Sequence, residues 1–169
     1  HYGVSIMNDC KYGHSAKDGC LGLTLLKSGI SPNETTDQEE HIMTYSLYPH
    51  GEGFREGGTI QEAYQLNVPA YAKAGKAAQE SYSMVSVDKR NLILETVKQA
   101  EDASGMILRI YEDENARTKA RVTVNREDIS GVVECNLMEE EERTLTFADG
   151  GFDIDVRPYE IKTYKLIYK

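Results

Sequence analysis

The sequence predicts an all-β fold whose second half forms a small antiparallel β-sandwich. Apolar and polar residues alternate with a period of two along most of the chain, whereas a sustained 3.6-residue period is scarce. Segments rich in Gly, Asn and Asp separate the alternating runs and supply the turns between them. From Tyr82 onward the spacing predicts about seven short strands, which is typical of a small sandwich.

Individual strands of the second half follow from this alternation. Residues 152–157 place Phe, Ile and Val on one face and charged side chains on the other, as in a half-buried antiparallel strand. Residues 133–137 and 161–168 predict two more strands. Residues 92–97 fit a strand or a helix by propensity alone, and the flanking pattern favours the strand.

Two hairpins are predicted in the same region. Residues 106–111 and 120–124 alternate, and the polar segment 112–115 between them is interpreted as the turn. Residues 145–147 form a strand that is expected to pair with the strand following it. Residues 149–151, Asp-Gly-Gly, supply the positive φ angles that such a tight connection requires.

The first part of the chain contains fewer strands and longer connections. Residues 2–7, 21–26 and 43–48 have strand character, but so few strands do not close a core on their own. Thr59 followed by Glu62 forms a capping box, which predicts a short helical turn beginning there.

The domain organisation is inferred from composition. Residues 71–79 are small and polar and are interpreted as a linker, with a helix as the alternative for the same stretch. This divides the chain into residues 1–70 and residues 80–169. The acidic run at residues 139–142 is interpreted as a solvated, self-repelling loop without function.

Charge and hydropathy exclude two classes of partner. The chain of 169 residues has 19 Lys and Arg against 28 Asp and Glu, a net charge of -9. No nucleic-acid partner is expected, because binding to phosphates requires clustered cations. No membrane partner and no signal peptide are expected either, because no apolar run approaches the roughly 18 residues of a membrane helix.

Cysteine and histidine spacing predicts neither a disulfide framework nor a metal site. The odd number of cysteines favours a reducing compartment, and we therefore expect a cytoplasmic protein. The histidines are too scattered for a helical ligand pair. The residues concerned are Cys10, Cys20, Cys135, His14, His41 and His50.

The start of the chain is unusual. His1 stands where an initiator Met would be, and residues 2–7 already have the apolar, β-branched character of a strand. The sequence is therefore expected to be part of a larger protein.

Signatures of catalysis are sparse. There is no G-x-S-x-G elbow, and the Gly-rich segment 51–58 is acidic and lacks the lysine of a phosphate-binding loop. Paired carboxylates near aromatic side chains are the chemistry of glycosidases. Asp9, Asp37, Glu39 and Glu40 lie beside aromatic and histidine residues and are candidates on that pattern, with surface solvation as the alternative.

Several separated segments share a recognisable order and spacing. They are Asn8-Asp9-Cys10-Lys11-Tyr12-Gly13, Leu21-x-Leu23-Thr24-Leu25-Leu26, Asp37-x-x-x-His41-x-x-Thr44-Tyr45-x-Leu47-Tyr48-Pro49-His50, Val85-Ser86-Val87, residues 94–102 and Leu108-Arg109-Ile110-Tyr111-Glu112. Together they resemble the C-terminal region of family 38 α-mannosidases, most closely the cytosolic and bacterial branch. The resemblance covers nearly the whole chain; it departs at Glu40, where the family commonly has Gly, and at Met43, where it has an aromatic residue.

The resemblance implies a fold. Residues 1–70 would be the final strands of a large mutarotase-like β-sandwich, and residues 80–169 a small terminal antiparallel β-sandwich, with residues 71–79 as the linker. The upstream strands of the large sandwich would then supply the core that the first segment lacks.

The resemblance also implies a function. Family members are retaining α-mannosidases that use an Asp nucleophile and a zinc ion, both in an N-terminal α/β domain. This chain would be the non-catalytic C-terminal part, with no catalytic or metal-binding residue of its own. Its expected partners are a mannose-containing carbohydrate, the missing N-terminal catalytic domain and a second copy in a homo-oligomer.

Substrate-adjacent residues are expected on the loop at residues 31–40. Asp37, with His41 behind it, would lie near the sugar or shape the loop, and Asp9 and Tyr12 are second choices. The alternatives are that residues 9–13 are only a turn joining two strands and that His41 is a packed strand residue.

The sequence is also compatible with two other functions. A stand-alone carbohydrate-binding module would need a platform of exposed aromatic rings. A purely structural or oligomerisation role would use the unpaired edges of the strands at residues 2–7 and 43–48. The tyrosines eligible for the platform are Tyr45, Tyr48, Tyr64, Tyr71, Tyr111 and Tyr164.

Overall fold

The computed structural model describes residues 1–169 and divides them into two compact units, His1–Gly75 and Lys76–Lys169. The N-terminal unit contains β1 (Tyr2–Asn8), β2 (His14–Lys17), β3 (Cys20–Leu23), β4 (Tyr45–Gly51) and α1 (Thr59–Asn67). The C-terminal unit contains β5 (Val85–Val87), β6 (Leu92–Gln99), β7 (Gly105–Glu112), β8 (Thr118–Val124), β9 (Ile129–Cys135), β10 (Glu141–Leu145), β11 (Gly151–Val156) and β12 (Ile161–Tyr168). No helix has the length and apolarity that a membrane span requires.

The all-β prediction is confirmed, and the C-terminal unit is a sandwich of two antiparallel sheets. One sheet has the strand order β10-β9-β12-β7-β6 and the other the order β11-β8-β5. The predicted alternation holds in β11, where Phe152 and Ile154 are buried and Asp153 is exposed. The Phe152 ring packs against Tyr164 of β12, with centroids 5.1 Å apart, and so joins the two sheets in the core.

The first predicted hairpin is wrong, and the second is limited to one antiparallel bridge between Ala148 and Gly151 at its turn. β7 pairs with β6 and β12, whereas β8 pairs with β11 and β5 in the opposite sheet. β10 pairs with β9, and β11 with β8. The turn at Asp149 and Gly150 does have positive φ angles, 51° and 67°, but it carries the chain across the sandwich. Alternation fixes which face of a strand is apolar and leaves its pairing partner open.

A buried carboxylate organises the connection from β7 to β8. Glu112 is 1% exposed, and its carboxylate accepts hydrogen bonds from Asn91 Nδ2 at 2.9 Å, the Glu114 N–H at 2.9 Å and the Tyr159 N–H at 3.0 Å. Burial by itself would raise the pKa of Glu112, but these donors outweigh it and hold the pKa below its ordinary value. The charged form is therefore part of the folded connection.

The neighbouring Asp113 has the opposite environment. Both of its carboxylate oxygens are buried without a hydrogen-bond partner. Burial raises the pKa of Asp113, and the charges of Glu114 and Glu112 raise it further. Two adjacent acidic residues thus have opposite effects on stability at neutral pH.

The acidic run at residues 139–142 is not a self-repelling loop. Glu139 forms an ion pair with Lys98 at 2.7 Å and accepts the Glu101 N–H at 2.8 Å. Glu141 pairs at 3.2 Å with the ammonium group of Lys165, a side chain that is 4% exposed. These carboxylates neutralise cations on the outer face of the five-stranded sheet, which the sequence pattern could not show.

The N-terminal unit has little core of its own. β1 and β4 form a two-stranded antiparallel sheet, β2 and β3 form a hairpin, and Met7 is the only buried hydrophobic residue of the unit. Residues 24–44 contain no strand, so the predicted strands at 21–26 and 43–48 are shifted to β3 and β4. Residues 71–79 do not adopt the helical alternative.

The predicted helix exists, but its capping box does not form. Gly58 is the N-cap, with φ 72°, and no side chain caps the helix. The Thr59 hydroxyl instead lies 2.7 Å from the Ser5 hydroxyl of β1. The tertiary contact to β1 therefore replaces the local hydrogen bond that the sequence motif predicts.

The contrast between Glu112 and Asp113 gives a first prediction. We expect Glu112→Gln to lower the free energy of unfolding at neutral pH by about 1–3 kcal/mol, because a hydrogen-bonded buried anion is lost. We expect Asp113→Asn to raise it by about 1 kcal/mol, because an unpaired buried charge is removed. Denaturant unfolding of the 169-residue chain, followed by circular dichroism, measures both.

The contributions of Glu112 and Asp113 to the free energy of unfolding depend on pH with opposite signs. The stability that Glu112 contributes is complete above its ordinary pKa of 4.5 and is lost as the pH falls through its lowered folded pKa. Ionised Asp113 lowers the free energy of unfolding, and this destabilisation disappears as the pH falls through its raised folded pKa. The Glu112→Gln variant should thus approach the parent chain at low pH. If Glu112→Gln and Asp113→Asn change the free energy of unfolding by equal amounts in the same direction, this account is contradicted.

Candidate functional site

The four predicted site residues lie on two connections of the N-terminal unit. Asp9 and Tyr12 belong to the turn between β1 and β2, and Asp37 and His41 belong to the long connection from β3 to β4. No hydrogen bond joins one pair to the other. The structure therefore places them as two separate pairs, each with its own local geometry.

Asp9 closes the long connection. Its carboxylate accepts the Thr44 N–H at 3.0 Å, and its own N–H donates to the Thr44 carbonyl at 3.2 Å. These bonds extend the β1–β4 ladder by one step beyond the Asn8–Tyr45 pair. The pKa of Asp9 is lowered, chiefly by a hydrogen bond with the Cys10 side chain and then by the Thr44 N–H. Asp9 is thus ionised, and its hydrogen bonds hold the end of the long connection against the β1–β2 turn.

Tyr12 stands on a turn that Asn8 organises. The Asn8 Oδ1 atom accepts the Cys10 N–H at 3.1 Å and also the Lys11 N–H. His14 Nδ1 donates to the Tyr12 carbonyl at 3.2 Å, which leaves His14 Nε2 to accept from Asn8 Nδ2 at 3.3 Å. The Tyr12 side chain is 94% exposed above this turn.

Asp37 and His41 are neighbours, but not through the Asp37 carboxylate. The His41 Nε2 atom donates to the Asp37 main-chain carbonyl at 3.0 Å. Asp37 has a φ of 59°, and its exposed carboxylate has no hydrogen bond or ion pair. His41 is exposed and precedes β4, so the interpretation of His41 as a packed strand residue is wrong.

A cluster around His50 is not predicted by any motif of the sequence. The His50 Nδ1 atom donates to the Gly51 carbonyl at 3.1 Å, so its Nε2 atom accepts from the Ser5 hydroxyl at 3.0 Å. Ser5 in turn contacts the Thr59 hydroxyl at the start of α1. Gly57 packs directly on the imidazole ring. This chain of hydroxyl groups holds α1 on the β1–β4 sheet.

The pairing of β1 with β4, rather than a sequence motif, brings this cluster together. Gly3 lies opposite His50 in the β1–β4 register, and a side chain at Gly3 would collide with the ring. A cleft of about 490 Å³ opens beside Ser5 and Thr59, with Val4, Leu21 and Phe54 among its walls. Its hydroxyl groups and aromatic edge are chemically suited to a polar ligand with an apolar face.

The donor set does not fit a zinc ion. No group of three or more His, Cys, Asp or Glu side chains is gathered closely enough to hold a metal. Cys10 and Cys20 are exposed free thiols, and Cys135 is a buried one. No catalytic step is therefore assigned to a metal held by these residues.

The aromatic platform of the carbohydrate-module hypothesis does not form as a set. Tyr164 is 1% exposed and packs in the core of the C-terminal unit, so its place in the platform is wrong. Tyr45 and Tyr71 are 58% and 91% exposed in the N-terminal unit. Of the six candidates, the two exposed ones thus belong to the unit that also carries Tyr12.

The C-terminal unit has a larger, charged cleft of about 840 Å³ on the side of β8 and β11. Two of its three carboxylates are paired with arginine side chains. Arg121 binds Asp153 at 3.2 Å and the Ala148 carbonyl at 2.6 Å, and Arg117 binds Asp155 at 3.0 Å. These two carboxylates are thus held by arginine side chains rather than left open to a ligand.

Two family models match the chain, one in each unit. Residues 91–164 match the glycosyl hydrolases family 38 C-terminal beta sandwich domain. Residues 1–35 match the glycosyl hydrolases family 38 C-terminal domain. The C-terminal match falls within the two-sheet sandwich described above.

Curated proteins with a similar sequence are named as α-mannosidases. The chain is 34% identical to Alpha-mannosidase G of Dictyostelium discoideum and 32% identical to Alpha-mannosidase 2C1 of Homo sapiens, each over 98% of this chain and 16% of the relative. It is 28% identical to Alpha-mannosidase of Saccharomyces cerevisiae, over 98% of this chain and 17% of that protein. The chain therefore spans about a sixth of the length of these relatives.

The packing around His50 gives a second prediction. A methyl group at Gly57 would lie 2.5 Å from Nδ1 and 2.7 Å from Cγ of His50. We expect Gly57→Ala to displace the ring and to lower stability by about 1–3 kcal/mol. The imidazole NMR signals of His50 and thermal unfolding of the chain measure the two effects.

Gly75→Ala is the matched control, because nothing lies within 4 Å of the added methyl group. It should leave the His50 signals unchanged. The proposed packing of His50 is refuted if the two variants have the same His50 signals and the same melting temperature.

Proposed function

The chain belongs to glycosyl hydrolase family 38, and on this premise we propose that it is the non-catalytic C-terminal β region of an α-mannosidase. The whole protein would hydrolyse terminal α-linked mannose with retention of configuration. The observation that carries the proposal is the 34% identity with a protein named as an α-mannosidase, which extends over 98% of this chain. The family matches in both units support the same assignment.

We assign the chemistry to the part of the protein outside this chain. A retaining glycosidase needs two carboxyl groups about 5–5.5 Å apart, one as the nucleophile and one as the acid and base. The family resemblance attributes the nucleophile and a zinc ion that holds the terminal mannose to an N-terminal catalytic domain. The residues of this chain would instead shape the cleft around the sugar.

The proposed contacts with substrate come from the two connections of the N-terminal unit. Asp37 offers an exposed carboxylate with no partner in the chain, and a carboxylate can accept hydrogen bonds from sugar hydroxyl groups. His41 fixes the backbone at Asp37, and Asp9 fixes the base of the same connection. Tyr12 offers an exposed ring. Each side chain thus has a distinct part in the proposed site.

The catalytic domain is also the proposed partner of the N-terminal unit. This unit leaves many large apolar side chains exposed, and burying them against another domain would be favourable. The open edges of β1 and β4 also favour pairing, either with that domain or between copies in a homo-oligomer. Two exposed free thiols, Cys10 and Cys20, support a cytoplasmic location. The exposed apolar residues include Tyr2, Val4, Leu21, Ile30, Ile42 and Leu47.

An activity assay gives the third prediction. We expect the 169-residue chain to release no product from an aryl α-mannoside with zinc present, and a longer protein that includes the catalytic domain to release it. Turnover by the chain alone would refute the non-catalytic assignment. Binding of mannose to the chain alone, measured by calorimetry and lost in Tyr12→Ala, would instead support a carbohydrate-binding module.

A charge-removing variant gives the fourth prediction. In the longer protein, we expect Asp37→Asn to raise KM for the aryl α-mannoside about tenfold, because a hydrogen bond to a charged group is weakened. Asn tolerates the positive φ at this position, so the backbone should be retained.

Asp18→Asn is the matched control for Asp37→Asn. Asp18 is also an exposed acid with positive φ, in the turn between β2 and β3. It should leave KM unchanged. Equal effects of the two variants would count against a specific role of Asp37 at the sugar.

A further inference from the structure

We propose that Asn8 is a positioning residue that presents the ring of Tyr12 to the sugar. This inference rests on the proposed α-mannosidase function. It adds a positioning residue, the aromatic ring that this residue presents, and the turn through which it acts. Asn8 itself would not touch the substrate. It would act by fixing the turn on which Tyr12 stands.

The Asn8 side chain uses both of its ends to build that turn. Its carbonyl oxygen accepts two successive main-chain N–H groups, those of Cys10 and Lys11. Its amide nitrogen donates to the His14 ring, which itself donates to the Tyr12 carbonyl. The residues on both sides of Tyr12 are therefore tied to the same side chain.

The turn is also attached to the rest of the N-terminal unit at three points. Asn67, the last residue of α1, donates from Nδ2 to the Asn8 carbonyl at 3.2 Å. The Gly13 carbonyl accepts the Thr24 N–H at 2.7 Å. Asp9 holds the start of β4 through Thr44. The turn is thus fixed to the helix, the β2–β3 hairpin and the β1–β4 sheet.

An exposed aromatic ring on a fixed turn is suited to binding a sugar. The Tyr12 side chain is 94% exposed, and no hydrogen bond of its hydroxyl group draws it onto the protein surface. The C–H face of a pyranose is apolar and can stack on such a ring. Because the backbone below the ring is already ordered, little conformational entropy remains to be lost on binding. Asn8 supplies that order.

The test compares single and double variants in the longer protein that contains the catalytic domain. We expect Tyr12→Ala and Asn8→Ala each to raise KM for the aryl α-mannoside about fivefold, with kcat changed less than about twofold. Tyr12→Phe should behave as the parent, because the ring rather than the hydroxyl group makes the contact. Asn8→Asp should recover much of the loss, because it keeps an acceptor oxygen for the Cys10 and Lys11 N–H groups.

The double variant identifies the route of the effect. If Asn8 acts through Tyr12, then Asn8→Ala combined with Tyr12→Ala has the same KM as Tyr12→Ala alone. Asn136→Ala is the matched control, because Asn136 Oδ1 accepts two N–H groups in the same way, from Met138 at 2.9 Å and Glu140 at 3.1 Å, in the C-terminal unit. It should leave KM unchanged.

Several outcomes would overturn the inference. They are an Asn8→Ala effect that persists in full when Tyr12 is already Ala, a KM that Asn8→Ala does not change, and a lack of rescue by Asn8→Asp in a variant whose circular dichroism shows it folded. An inactive parent protein would instead refute the proposed function. That result is separate, because it appears before any variant is made.

Discussion

A strand with an apolar face must cover that face, and the two units meet this requirement differently. In the C-terminal unit the inward residues of two sheets cover each other, with Phe152 and Tyr164 in contact at the centre. All of the buried hydrophobic residues except Met7 belong to this unit. The N-terminal unit has only a two-stranded sheet, a hairpin and one helix, which cannot enclose a core. Its order depends instead on hydrogen bonds that its side chains make with the backbone and with one another.

These hydrogen bonds are concentrated at the two ends of the β1–β4 ladder. At one end, Asn8 and Asp9 fix the turn and the long connection that carry the proposed substrate-adjacent residues. Toward the other end, His50 joins Ser5 of β1 to the start of α1. Polar groups thus do in this unit what apolar packing does in the other. The loops of the proposed site are thus fixed, while the apolar side chains of this unit stay exposed.

The acidic composition has a structural role in the C-terminal unit. Glu112 accepts three hydrogen bonds where the chain passes from one sheet to the other, and Glu139 and Glu141 neutralise cations on the outer face of the five-stranded sheet. Asp113 is adjacent to Glu112 but has no such contacts, since both of its carboxylate oxygens are buried without a hydrogen-bond partner. Part of the acidic composition therefore serves internal contacts rather than a uniformly solvated surface.

The sequence by itself determined the all-β class, the inward residues of β11 and the turn at Asp149 and Gly150, because alternation and turn chemistry are local properties. It also identified the family, because several segments kept their order and spacing. Only the tertiary structure decided that β7 and β8 lie in opposite sheets, that Thr59 contacts Ser5 instead of capping α1, and that Asn8 organises the turn below Tyr12. Those features depend on pairings and contacts between elements, some of them distant in the chain, for which a period of two carries no information.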